Sequence, residues 1–142
     1  MLKQRAFYSV VLLVLTSVLL GCGKSTTFAG FTFGGGGHTF SAEPAVLTQS
    51  GSGGKLVAGS PSQATYLLLE WEAQSMVFDR KPISLNKVEV KVDSQGRSDR
   101  LVEGHIVLQA SEDKIGHGSF QCTVKLEDGR EFPIVGSFTA NL

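Results

Sequence analysis

Phe120-Gln121-Cys122-Thr123-Val124-Lys125-Leu126-Glu127-Asp128-Gly129-Arg130-Glu131-Phe132-Pro133-Ile134-Val135-Gly136 is the stretch on which the fold turns. Phe120, Cys122, Val124 and Leu126 alternate with Gln121, Thr123, Lys125 and Glu127. That period of two belongs to a strand with one face in a core and the other in water. Asp128-Gly129 is a hairpin signal, and loop length then decides which residues oppose one another. A two-residue loop sets Phe132 opposite Lys125 and Ile134 opposite Thr123, mixing the faces. With Glu127-Asp128-Gly129 as a three-residue loop, Phe132 faces Val124, Ile134 faces Cys122 and Gly136 faces Phe120, all on one apolar side. Gly129 then takes the left-handed position of a type I turn with a G1 bulge. Pro133 points to the other face and lacks an amide hydrogen, which places it at an edge or a bulge.

Upstream, Lys87 to Asp93 alternates strictly, with Val88, Val90 and Val92 on one face and charges on the other. After the polar loop 94–99, Val102, Gly104, Ile106, Leu108 and Ala110 share a parity opposite Glu103, His105, Val107 and Gln109. Residues 60–78 carry a conflict. Leu67, Leu69 and Trp71 suit the inner face of a strand, whereas Ser60-Pro61-Ser62-Gln63 fits a helix capping box and Ala64, Leu67, Leu68 and Trp71 recur at helical spacing. Context favours the strand, since the neighbouring elements are strands and a sheet buries its face most simply on another sheet. The expectation is an all-β fold, an antiparallel Ig-like β-sandwich of about seven strands. A small β-barrel is the alternative, or α+β if 61–77 is helical.

At the other end of the chain, Lys3 and Arg5 precede an apolar run from Ala6 to Leu20, followed by Leu19-Leu20-Gly21-Cys22 across its close. A basic head, a short apolar segment and a small residue at a cleavage point form the layout of an export signal. The run is shorter than the roughly 20 apolar residues of a membrane-spanning helix and carries Ser9, Thr16 and Ser17. Leu19-Leu20-Gly21-Cys22 resembles the lipobox of bacterial lipoproteins. The resemblance implies cleavage between Gly21 and Cys22, a diacylglyceryl thioether on Cys22 and acylation of the new amino terminus. One acyl chain holds a membrane marginally, whereas several together make release negligible. Gly23 after the cysteine, being other than Asp, implies outer-membrane sorting if the envelope is Gram-negative. Gly23-Lys24-Ser25-Thr26 mimics the tail of a P-loop, but Val18 stands where that loop needs its first glycine.

Cleavage leaves 22–142, enough for one compact domain and hardly two. Residues 22–41 are rich in Gly and Phe and read in two ways. Gly34-Gly35-Gly36-Gly37 suits a flexible tether, whereas Phe31 and Phe33 at a spacing of two suit an amino-terminal strand docked on the single β domain of 42–142. Ser50 to Gly54 reads as a loop within that domain. The chain balances 13 basic against 13 acidic residues, and removing Lys3 and Arg5 with the leader turns it slightly acidic. The basic excess of a nucleic-acid binder is missing from this sequence.

Acylation takes the Cys22 sulfur out of disulfide chemistry and leaves Cys122, which reads as a small buried apolar residue. His38, His105 and His117 have no metal-ligand spacing with another His or Cys. His117, between Gly116 and Gly118 and after Glu112 and Asp113, reads as a polar hairpin tip before it reads as a metal site. Glu103 and His105 share the polar side of a strand and read as a solvated pair. The sequence carries no G-x-S-x-G nucleophile and points to no catalytic residue, metal or cofactor. The leading expectation is therefore a non-enzymatic interaction or structural module, held at a membrane through lipidated Cys22 and meeting another envelope protein. An apolar-ligand or lipid carrier, suggested by the Phe-rich amino-terminal half and Trp71, is the alternative. An envelope hydrolase stands behind both.

Overall fold

Hydrogen bonding puts the decisive hairpin in the register that matching of faces demands. The computed structural model describes residues 26–35 and 37–142. Its strands are β1 (Phe28–Phe33), β2 (Thr39–Ala42), β3 (Ala45–Ser50), β4 (Gly53–Ala58), β5 (Thr65–Glu72), β6 (Pro82–Val92), β7 (Gly96–Ser98), β8 (Arg100–Glu112), β9 (Ile115–Lys125) and β10 (Glu131–Asn141). Between β9 and β10, Phe132 pairs with Val124, Ile134 with Cys122 and Gly136 with Phe120. The Leu126 amide donates to the Arg130 carbonyl and the Gly129 amide to the Leu126 carbonyl, each at 2.9 Å, with Gly129 at φ 88°. This is the three-residue loop with its left-handed glycine. The Pro133 carbonyl accepts from the Gly34 amide at 2.9 Å, just past the last residue of β1, so the missing amide hydrogen lies where the ladder ends.

The described residues are all-β, and β5 settles the conflict around Trp71. Thr65–Glu72 is a strand with Leu67, Leu69 and Trp71 almost fully buried, so the helical reading of 61–77, and with it the α+β alternative, is overturned. The capping-box chemistry is nonetheless present. The Ser60 amide donates to Gln63 Oε1 at 2.7 Å and the Gln63 amide to the Ser60 carbonyl at 3.0 Å, closing a turn between β4 and β5.

A two-sheet sandwich is not what the hydrogen bonding forms. β10, β3, β4, β5, β6, β8 and β9 pair in that order and β9 returns to β10, closing a seven-stranded ring. β1, β2 and β7 pair outside this ring, on β10, β1 and β6. Closure is narrow. β3 meets β10 at the single parallel pair Val46–Asn141, while β1 takes the rest of that edge, from Phe28 opposite Thr139 to Phe33 opposite Ile134. Glu43 and Pro44 separate β2 from β3, so the chain lies beside β1 on one side of them and beside β4 on the other.

A ring of this size is just wide enough for side chains to fill. Trp71, Phe31, Leu47, Leu56, Leu67, Leu69, Ile106, Leu108 and Ile134 are its largest fully buried members. Burial of each such side chain contributes about 1.5–3 kcal/mol. Phe31 explains the aromatic character of the amino-terminal stretch: its ring lies 6.5 Å from Phe40 and 6.4 Å from Phe120, while Phe33 lies 5.4 Å from Phe132. Gly34 and Gly35, at φ 82° and 73°, belong to the β1–β2 connection. Other glycines make room inside the barrel. A Cβ on Gly54 would overlap the Trp71 indole, and one on Gly136 would overlap Phe31 and Phe120.

The alternation in β8 breaks twice. Register shifts between Leu101 and Glu103 and between Leu108 and Ala110 insert Val102 and Gln109 as bulge residues against β9. Val102, expected on the apolar face, is therefore 46% exposed, and Ala110 is exposed as well. His117 is not at a hairpin tip either. It lies on β9, the tip being Asp113-Lys114 with φ 49° and 63°.

Candidate functional site

Outward-facing residues follow from the pairings, and they divide the barrel wall by charge. Across β4, β5 and β6 one outer row runs Lys55, Glu70, Lys87 and the next Val57, Leu68, Glu89; a third runs Tyr66, Lys91, Arg97 over β5, β6 and β7. The wall formed by β2, β1, β10, β9, β8 and β6 differs. Its first row runs Thr39, Thr32, Val135, Gln121, His105, Ser84, and its second Ser41, Gly30, Ser137, Ser119, Val107, Pro82. A third, shorter row runs Phe28, Thr139, His117, Ala110. None of these positions is Asp, Glu, Lys or Arg, whereas about one surface residue in four is ordinarily charged. Glu103 stands one row beyond, beside Thr123 and Pro133.

A shallow groove of about 560 Å³ crosses this wall, lined among others by Ser84, Glu103, His105, Gln121, Thr123 and Val135. The groove thus brings Glu103 and His105 together with uncharged donors and acceptors. Val135 is 52% exposed. His117 Nδ1 lies 3.1 Å from Thr139 Oγ1 on the neighbouring strand, within hydrogen-bonding distance.

The charged wall has a cleft of its own, about 420 Å³, where Lys91, Arg97, Arg100 and Lys125 stand among Glu89, Asp99 and Glu127. Of these, Lys91 and Glu89 have side-chain partners. Lys91 Nζ donates to the Pro61 carbonyl at 3.0 Å and lies 3.4 Å from Asp93, and the Tyr66 hydroxyl donates to Glu89 Oε2 at 3.5 Å. Burial, followed by the charge of Glu89, raises the Tyr66 phenol above its ordinary value. At the β9–β10 tip the Arg130 amide and guanidinium, at 3.0 and 2.6 Å, hold the Asp128 carboxyl below the usual carboxylate range.

Cys122 is a free thiol 5% exposed, and burial pushes it up to about 12. A thiol so protonated at neutral pH is a packing group, as its strand position implied. Gly21, Cys22 and the leader 1–21 lie outside the described residues. Among the described residues, no group of three or more His, Cys, Asp and Glu could hold a metal ion, and no helix is long and apolar enough to cross a membrane.

Sequence reasoning missed the uncharged wall, although part of its signal was legible. Along β9 and β10 the outward positions Ser119, Gln121, Thr123 and Val135, Ser137, Thr139 are uncharged, with Lys125 and Glu131 confined to the hairpin tip. What was missing was the order of six strands that joins them to β1, β2 and β8. Comparison with known protein families, with curated proteins and with solved structures finds no significant match to this chain.

Proposed function

We propose that this chain is an exported lipoprotein, anchored in a bacterial membrane through acylated Cys22, whose small β-barrel is a non-enzymatic interaction module for another envelope protein. The uncharged wall of β2, β1, β10, β9, β8 and β6 carries the reading. Burying a charge against a partner costs far more than burying a hydroxyl or amide that can be hydrogen-bonded, and the cores of protein interfaces are accordingly depleted in charge. Two rows over six strands about 4.8 Å apart and a third over four, with rows about 6.8 Å apart, give a patch within roughly 24 by 14 Å. That is somewhat under half of the ~800 Å² that each partner contributes to a standard interface. The rows therefore suit the centre of a contact, with Glu103 and the neighbouring loops at its rim.

The carrier reading is weaker, because Trp71, Phe31 and the aliphatic side chains around them already occupy the barrel interior. The outer membrane is the proposed site of action where the envelope has one.

A photo-crosslinking residue placed at Gln121 in the full chain, in its native membrane, tests the proposal against the same residue at Lys87 on the charged wall. Gln121 is expected to yield a discrete adduct that disappears when Ser137→Arg is added beside it, and Lys87 none. Identical adducts at both positions, or none at Gln121, contradict the reading.

A further inference from the structure

Four of the six large apolar side chains most exposed on the barrel lie at, or on the wall within a few residues of, the end where β10 finishes. They are Phe28, Val46, Val77 and Leu142, exposed by 37, 37, 52 and 48%. Phe28 pairs with Thr139 and Val46 with Asn141, which precedes Leu142. The Leu142 amide donates to the Lys114 carbonyl at 2.9 Å, and both Leu142 and Phe78 would lie 3.0 Å from a Cβ on Gly116. Phe78 joins this end to Val77. Met76 and Phe78 pack on the core there, so residues 73–81 cap the barrel and leave Val77 facing outward. Arg80, Lys81 and Lys114 at the same end are mixed with Asp79, Glu112 and Asp113, so its distinguishing chemistry is apolar.

The opposite end carries the Asp93–Gly96 and Glu127–Arg130 turns, rich in charge, with the uncharged 59–64 connection and Gly34 beside them. Both ends carry charge, and the exposed apolar side chains Val77 and Leu142 are what set the first apart.

Thr27 sets how far the barrel can stand from a lipid anchor. It is 5% exposed, and its Oγ1 accepts from the Ala45 amide at 3.1 Å, so the fold begins there. Five residue steps separate it from Cys22, a reach of at most about 17 Å even when extended. A strand of the length of β9, 11 residues, is roughly 37 Å long. An anchor at Cys22 therefore cannot hold the barrel at arm's length, and a Gly-rich spacer does not intervene, because Gly34 and Gly35 lie beyond β1.

We infer that the end bearing Phe28, Val46, Val77 and Leu142 rests on the lipid surface that holds the acyl chains. This seats the barrel with its charged turns away from the membrane and its uncharged wall standing up from it. The inference depends on the acylation of Cys22 proposed above.

The test uses the full acylated chain in phosphatidylcholine vesicles containing a doxyl-labelled lipid. A bimane fluorophore is attached to Val77→Cys or, at the far end, to Gln95→Cys, each variant first matched to the parent by far-UV circular dichroism. The mass of the amino-terminal peptide is read in the same samples. With Cys22 acylated, quenching several-fold stronger at position 77 than at 95 is expected. Equal quenching at the two positions, or none at 77, overturns the seating and leaves the anchor standing. Protection at 77 that follows protein density instead of doxyl content assigns this end to a second copy and also overturns it. A bare Cys22 removes the anchor and the seating together.

Discussion

At the scale of single residues, the barrel interior is set by where side chains are withheld as much as by where they are present. Gly54 opposite Trp71 and Gly136 opposite Phe120 allow rings to lie over backbone. The sequence shows seventeen glycines but not which ones face aromatics, because that depends on pairing between distant strands. Cys122 was legible as a packing residue from strand parity alone, and its burial gives it a measurable consequence. Its thiol rises from an ordinary 9.0 to about 12 in the fold. Above pH 9 the unfolded chain gives up this proton while the folded chain keeps it, so the contribution to stability is complete below about pH 9 and lost as pH climbs towards 12. Tyr66, also raised by burial, acts in the same direction at higher pH. Urea unfolding of Cys122→Ala between pH 8 and 11 is expected to show a flatter decline than the parent, by an amount on the order of a few kcal/mol at the alkaline end. Parallel declines would show that the thiol is not protected.

Individual elements were read best where one face is continuously buried. Val88, Val90 and Val92, and the register of the 120–136 hairpin, follow from alternation and loop length with no tertiary information. Replacing Gly129 by Val puts a β-branched residue at φ 88° and is expected to lower unfolding stability by about 1–2 kcal/mol or more. An unchanged urea midpoint would refute this tip geometry. Alternation misleads in β8, because a bulge changes parity without leaving a mark in composition. Val102 sits in such a bulge at 46% exposure, whereas Ile106 is fully buried. Val102→Thr should therefore stay within about 0.5 kcal/mol of the parent, while Ile106→Ala should cost about 2–5 kcal/mol. Equal effects would mean that β8 keeps one parity throughout. In 60–63 the capping-box residues make the expected side-chain bond but close a turn, so local chemistry was legible there and the element it serves was not.

For the whole molecule, the all-β class was legible, while closure was read only as the barrel alternative to a sandwich. One pair, Val46–Asn141, and the passage of the chain from β2 beside β1 to β3 beside β4 make a ring out of what strand count suggested was two sheets. The charge-divided wall is a property of that ring, visible once Thr32, Val135, Gln121 and His105 are known to be neighbours. Docking of Phe28–Phe33 on β10 also removes most of the slack that a Gly-rich tether would have supplied. On the proposed acylation of Cys22, anchor, apolar end and uncharged wall would form one arrangement, in which the face offered to a partner is fixed by where the lipid attaches. All of it rests on the sulfur of Cys22. Mass spectrometry of the amino-terminal peptide from the membrane-extracted protein tests this most directly. The account predicts a chain beginning at Cys22 and carrying a diacylglyceryl thioether, and a peptide beginning at Met1 with an unmodified thiol at position 22 would contradict it.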